Sequence, residues 1–336
     1  MPTQNLGPSN YQPTVWLVYW TPGVGRDIVL PEICHWARLK REIMGNDADE
    51  PISRTYSSGR LTLHLAEWGQ ENSETVVLVH GYRDHCRSWD AMARVLRNGY
   101  RVIAPDLRGH GNSQWVVGGT YALDDFVYDL HSLLREQAAN PVSIVAHSMG
   151  AAVSLNFAGL YPDRVKALVA IEGTWQLERA EPIYGPDETQ KRLTHWIDQI
   201  DSLTVGGHRT YASIKEAEAR LKAEHPRLDP ALIRHLTAHG VRRSQDGSVN
   251  WKYDPLLKAR APSRFERAAT IELWSRIACP VTLVHGSESK MGDARALGLD
   301  RHFRQADAVD IADAGHWVHH DKPEEFAALV LKALGR

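Results

Sequence analysis

Val142-Ser-Ile-Val-Ala-His-Ser148-Met-Gly150-Ala-Ala-Val-Ser154 decides how this chain is read. The apolar, β-branched run 142–146 has the length of a buried strand. Residues 149–160 are apolar or small almost all round, as expected of a helix buried against a sheet. Ser148 falls at the turn between them. A strand that passes straight into a helix must turn sharply, and small flanking residues let it do so while lifting the serine hydroxyl clear of the backbone. That is the logic of a G-x-S-x-G sequence. Here Ala146 stands at the first glycine position and adds only a methyl, while Gly150 permits close helix–strand packing. A serine that merely capped a helix would need neither the strand before it nor the small residues after it.

Working outward, short apolar runs recur at 76–79, 102–104, 168–171 and 281–284. None alternates cleanly, which suits strands buried on both faces of a parallel sheet. Residues 54–69 (RTYSSGRLTLHLAEWG) alternate about a Ser-Gly turn and predict an antiparallel hairpin. Leu123, Phe126, Val127, Leu130, Leu133 and Leu134 keep a helical period, with Thr120 as the expected cap. Asp321 and Pro323 open a last helix carrying Phe326, Leu329, Val330 and Leu334 on one stripe. Strand–helix alternation of this kind predicts the α/β class with a doubly wound, mostly parallel sheet. The rhythm breaks over residues 174–276, which are charged, locally helical (214–223, 230–239) and dotted with Trp175, Trp196, Trp251 and Trp274. So long a stretch is more than a loop needs, and an inserted helical cap over the sheet's carboxyl edge accounts for it. The expected organisation is therefore a core at 55–173 and 277–336, a cap at 174–276, and an N-terminal extension at 1–54. Residues 31–44 of the extension have the pattern of an amphipathic helix, which suits an arm packed on the body or on a second copy in a homodimer.

A formal net charge of −2 and a pI near 6.8 give no reason to expect nucleic acid or an anionic membrane as partner. Three cysteines, Cys34, Cys86 and Cys279, are too few and too scattered for a disulfide framework or a metal site. The longest apolar run near the N-terminus, 15–20, is too short for a signal-peptide core or a membrane span. The expectation is a cytoplasmic protein acting on a small molecule, with neither metal nor organic cofactor.

A serine hydroxyl is a weak nucleophile and needs a base. Of the 17 histidines, His316 is best placed: Asp313-Ala-Gly-His316-Trp-Val-His-His320 follows an expected strand at 308–312 and precedes the last helix. His319 and His320 share that loop and read as solvated or capping residues. Acyl transfer also needs fixed N–H donors for the developing oxyanion. The amide of Met149, after the serine, is one candidate. Tyr82, after the strand end Val79-His80-Gly81, is the other, with His80 bracing the loop. A carboxylate must orient the histidine. Glu172 directly follows the apolar run 168–171, where an unpaired charge would be costly. Glu288 is the alternative, in His285-Gly-Ser-Glu288-Ser-Lys290 after the next strand.

HGYRDHCRSWD (80–90), DLRGHGNS (106–113), AHSMG (146–150), IEG (171–173), WKYDP (251–255) and AGHWVHHD (314–321) together resemble the α/β-hydrolase superfamily, specifically serine hydrolase-like proteins with a helical cap. The resemblance runs from about Arg54 to the C-terminus and leaves the extension outside. It implies that 106–113 is a structural turn near the site. A glutamate one strand after the nucleophile resembles the arrangement in some haloalkane dehalogenases. Those enzymes and epoxide hydrolases use an aspartate nucleophile, so Ser148 argues against both reactions. What the resemblance implies is two-step hydrolysis of a small carboxylic ester by Ser148, His316 and Glu172. A thioesterase or a carbon–carbon bond hydrolase would use the same residues, and a ligand-sensing receptor of the same build is the reading from another class.

Overall fold

The computed structural model describes residues 50–119, 121–178, 189–206, 209–259 and 266–336. The extension up to residue 49, its expected helix and Thr120 lie outside them.

Eight strands make one sheet: β1 (Ile52–Ser58), β2 (Leu61–Trp68), β3 (Thr75–Val79), β4 (Arg101–Pro105), β5 (Val142–His147), β6 (Val165–Ile171), β9 (Val281–Gly286) and β10 (Ala306–Ile311). A separate pair, β7 (Val241–Arg243) and β8 (Val249–Trp251), lies in the inserted segment. The order across the large sheet is β1-β2-β4-β3-β5-β6-β9-β10. β1 and β2 form the antiparallel hairpin, β2 pairs antiparallel with β4, and every later pairing is parallel. β1 begins at Ile52, inside the segment expected to be extension.

The lack of clean alternation in the central strands has a direct cause, because both faces are covered. Val77, Val79, Ile144 and Ala146 face one hydrophobic cluster, and Val76, Leu78 and Val145 face the other. On the first face lie α2 (Leu123–Gln137), α3 (Met149–Leu160) and α8 (Arg267–Arg276); on the second lie α1 (Asp90–Leu96) and α10 (Pro323–Ala333). Leu78 is fully buried, and cutting such a side chain to alanine costs about 2–5 kcal/mol. α2 starts with Ala122 as cap residue, whose amide donates to Asp125 at 3.1 Å.

Between β6 and β9 come α4 (Trp175–Glu178), α5 (Thr189–Gly206), α6 (Ile214–Glu224), α7 (Pro230–Gly240) and the β7–β8 pair. They bury small cores of their own, Tyr211, Ala217, Val241 and Val249 in one and Leu221, Leu228, Ile233 and Leu236 in the other. α8 differs. Its Leu273 and Trp274 lie in the main core, and at Gly159 of α3 a methyl would come within 2.3 Å of the Leu273 carbonyl oxygen. By packing, α8 is the crossover helix from β6 to β9, although it falls within the span expected to be cap.

Candidate active site

The six parallel strands β3, β4, β5, β6, β9 and β10 end at one edge, the usual place for ligands in an open parallel sheet. Ser148 follows β5 with φ 52° and ψ −115°, a conformation L-residues seldom adopt, and its amide donates to the Ile171 carbonyl at 2.8 Å. Glycine at 150 is required by contact: a methyl there would lie 2.4 Å from the His80 carbonyl oxygen. The helix can therefore begin hard against the end of β3.

His316 lies in the loop between β10 and the short helix α9 (Val318–Asp321). Its Nε2 is 3.1 Å from Ser148 Oγ, and its Nδ1 is hydrogen-bonded to Glu172 Oε2. With the Nδ1 proton given to the carboxylate, Nε2 holds the lone pair that faces the serine hydroxyl. Glu172 follows β6 with φ 48°, its amide bonded to the Val284 carbonyl at 2.9 Å. Its side chain is fully buried. Besides His316, the Gly286 amide donates to Oε1 at 3.1 Å and Ser289 Oγ to Oε2 at 2.8 Å. Those donors offset the cost of burying a carboxylate. Glu288 is exposed, and its backbone amide donates to the Ala314 carbonyl at 2.8 Å. The structure thus brings Ser148, His316 and Glu172 together and leaves the Glu288 side chain outside.

The candidate oxyanion donors flank the serine. Met149 is the first residue of α3, where an amide has no partner within the helix. Tyr82 follows Gly81, at which a methyl would come within 3.2 Å of Ser148 Cβ, so this loop runs directly past the serine. His80 holds the loop: Nδ1 donates to the Gly81 carbonyl at 2.7 Å and Nε2 accepts from the Leu107 amide at 3.0 Å. In the turn at 106–113, the Asp106 carboxylate accepts from the Cys86 and Asn112 amides at 2.7 and 2.8 Å.

Around His316 the histidines are kept neutral by burial. His147, whose Nε2 donates to the His316 carbonyl at 2.9 Å, is pushed well below its ordinary pKa by desolvation and then by His316 itself. His319 and His320, expected to be solvated or capping, are packed inward instead. His319 stacks on Trp89 at 4.5 Å, and burial lowers His320 to about 3. The cause is α9, which turns this segment back onto the core. Asp321 ends α9 rather than capping α10; its Oδ2 accepts the Gly315 amide at 2.7 Å and meets Arg227 Nε at 3.3 Å.

Two further constellations were not legible in the sequence. Asp84, His147 and His319 offer buried ligand atoms within 4.8 Å of one another, the composition of a metal site, but the Asp84 oxygens already accept from the His85 amide and Ser88 Oγ at 2.8 Å each. A cavity of about 110 Å³ lined by His64, Cys86, Asp106, His239 and Lys252, among others, lies apart from the serine; none of Ser148, Glu172 and His316 lines it. Burial holds Cys86 in it as an unreactive thiol.

The family profile of the alpha/beta hydrolase fold matches residues 74–323, most of the chain. The chain belongs to this family. Hydrolases, among them a lipase and an esterase, are prominent among its relatives, and the chain is a serine hydrolase of the α/β type. It is 28% identical over 291 residues to a 2-(acetamidomethylene)succinate hydrolase of Mesorhizobium japonicum, covering 85% of this chain and 95% of the relative. It is 27% identical over 287 residues to the lipase LipV of Mycobacterium tuberculosis, covering 82% and 98%. Among solved structures, the thioesterase domain from the curacin biosynthetic pathway superposes with a TM-score of 0.73 at 26% identity, covering 84% of this α/β hydrolase and 99% of that domain. Among the described residues no helix is long and apolar enough to cross a membrane.

Proposed function

We propose that this α/β hydrolase cleaves a small carboxylic ester through an acyl-enzyme, with Ser148 as nucleophile, His316 as general base and Glu172 as the orienting acid. The reading rests on one observation: the serine–histidine contact at 3.1 Å continues through His316 Nδ1 to a carboxylate buried among donors. His316 Nε2 takes the Ser148 proton as Oγ bonds to the carbonyl carbon. The amides of Met149 and Tyr82 hold the oxygen that becomes negative. His316 then passes the proton to the departing alcohol as the C–O bond breaks. Water attacks the acyl-enzyme in the same way, releasing the acid and restoring the serine.

A thioester is the second substrate class, favoured by the likeness to a thioesterase domain, and it differs only in the leaving atom. Fluorophosphonate labelling located by mass spectrometry, followed by a panel of oxygen and sulfur esters, tests the reading. Label on Ser148 and sustained turnover are expected. Label on another serine, or label retained in Ser148→Ala, would overturn it. A single slow turnover would point to a ligand sensor instead.

A further inference from the structure

Asp84, His147 and His319 belong to the three segments that carry the catalytic groups. Asp84 lies two residues after Tyr82, His147 directly precedes Ser148, and His319 follows His316 by three. Their ligand atoms lie within 4.8 Å of one another, and all three side chains are buried. His147 Nε2 donates to the His316 carbonyl at 2.9 Å, which leaves Nδ1 with a lone pair and no proton. That nitrogen is buried without a hydrogen-bond partner, and so are both ring nitrogens of His319. Asp84 accepts from the His85 amide on one oxygen and from Ser88 Oγ on the other, both uncharged donors, so each oxygen keeps a lone pair. Unpartnered buried nitrogens and a buried carboxylate with no counter-charge are both costly. A water could serve the nitrogens and would leave the charge; one divalent cation relieves both.

Three other groups of this kind occur among the described residues, and each is already spent. In His64, Cys86 and Asp106, the His64 ring meets Asp106 and Ser53, both at 2.8 Å. In Asp90, His235 and His239, the Arg87 guanidinium already forks the Asp90 carboxylate at 2.8–3.0 Å. In His285, Asp293 and Asp310, the His285 ring meets Asp310 at 3.1 Å and the Met291 carbonyl at 3.2 Å. Only the group beside the triad contains buried ring nitrogens without partners.

Two imidazoles and one carboxylate suit zinc, cobalt or nickel better than magnesium or calcium. Ligands about 2.0–2.2 Å from zinc stand roughly 3.4 Å apart, so closing the site needs shifts below about 1 Å for each side chain. A void of about 10 Å³, lined by Ser88, Trp89 and His319 among others, gives the His319 ring room to move. The donors on Asp84 and the His316 carbonyl on His147 are outer partners of the sort that hold metal ligands in place.

We propose that Asp84, His147 and His319 bind one divalent ion of the zinc class, with water completing its coordination, and that the ion staples the oxyanion loop, the nucleophile turn and the base loop together. The site stands whatever substrate Ser148 takes.

The test uses the full chain, freed of metal by dialysis against a chelator, then titrated with zinc by calorimetry and with cobalt by absorption spectroscopy. One equivalent should bind and raise the melting temperature, because the ion binds only the folded chain. X-ray absorption of the zinc form should show two imidazoles, oxygen neighbours and no sulfur. His319→Gln and Asp84→Asn should each weaken zinc binding about a hundredfold or more, and Ser88→Ala, which removes an outer partner, about tenfold. Cys86→Ser, His235→Gln and His285→Gln, one from each of the other groups, should bind zinc as the wild type does. If His319→Gln fails to fold, two imidazoles without sulfur, retained in His235→Gln, still identify the site. No binding at micromolar zinc, which would leave water among the nitrogens, overturns the proposal. So does a sulfur neighbour, or binding that survives in folded His319→Gln and Asp84→Asn. None of these readouts involves turnover, so the ester-hydrolase reading, tested by labelling of Ser148, stands or falls separately.

Discussion

Ser289 Oγ donates to Glu172 Oε2 at 2.8 Å, the same oxygen that His316 Nδ1 reaches. The loop after β9 therefore supports the carboxylate that β6 delivers, and the Ser289 hydroxyl is in turn fixed by the Met291 amide at 3.1 Å. Two neighbouring strands share a task that a single loop could have carried.

Glu172→Gln should lower kcat about a thousandfold or more while the protein stays folded, because the imidazolium loses its counter-charge. Glu288→Gln should change kcat less than about twofold, its side chain being exposed. Steady-state kinetics of the two variants checks this, and the reverse ranking would transfer the role to Glu288.

Because position 289 already reaches the shared oxygen, the acid should be movable. Adding Ser289→Asp to Glu172→Gln should recover about tenfold or more of the lost kcat. No recovery, with the fold intact by circular dichroism, would mean that residue 289 cannot face His316.

Gly81→Ala probes the oxyanion loop. The added methyl would sit 2.7 Å from His147 Nδ1 and 3.2 Å from Ser148 Cβ, so the loop must move away from the serine. Displacing one oxyanion donor should cost about a hundredfold in kcat. Wild-type kinetics in this variant would count against Tyr82 as a donor.

Stability should fall as the solution is acidified from about pH 6.5 to 4. His80, His85, His110, His147, His319 and His320 are all held below their ordinary pKa chiefly by burial, His85 at about 4 and His110 at about 3. The folded chain keeps them neutral while the unfolded chain takes up their protons below about 6.5, so their contribution is complete above that pH and is lost below it. Asp84 opposes this: burial raises it to about 7, so it favours the folded state as pH falls from about 7 toward 4. Asp124 and Asp129, also raised by burial, act as Asp84 does, but three aspartates do not outweigh the six histidines together with His225 and His239, which burial lowers as well. Urea midpoints should drop between pH 7.5 and 5, and an unchanged or higher midpoint at pH 5 would contradict this.

Much of this site could be read from the chain because backbone register carries it. Ser148, Glu172 and His316 each follow a strand of recognisable composition, and parallel pairing brings strand ends to one edge. Ser289 gave no such signal, since its significance lies in a side chain met across a loop. The β7–β8 pair did leave one, as Asp246-Gly247 marks a tight turn, with Gly247 at φ 84°. The sequence of α8 states neither cap nor core; the close approach at Gly159 and the burial of Trp274 decide it.

His225 of the cap stacks on Trp317 at 4.1 Å, Arg227 donates to the Asp313 carbonyl, and Trp317 packs against the cap cluster around Leu228. These residues bracket His316 on both sides in the chain. The segment inserted between β6 and β9 is thus also the splint of the base, and its displacement at this corner would leave the histidine loop unsupported. Substitutions at His225 or Arg227, neither of them beside the serine, would therefore blunt the chemistry by loosening the loop that holds the base.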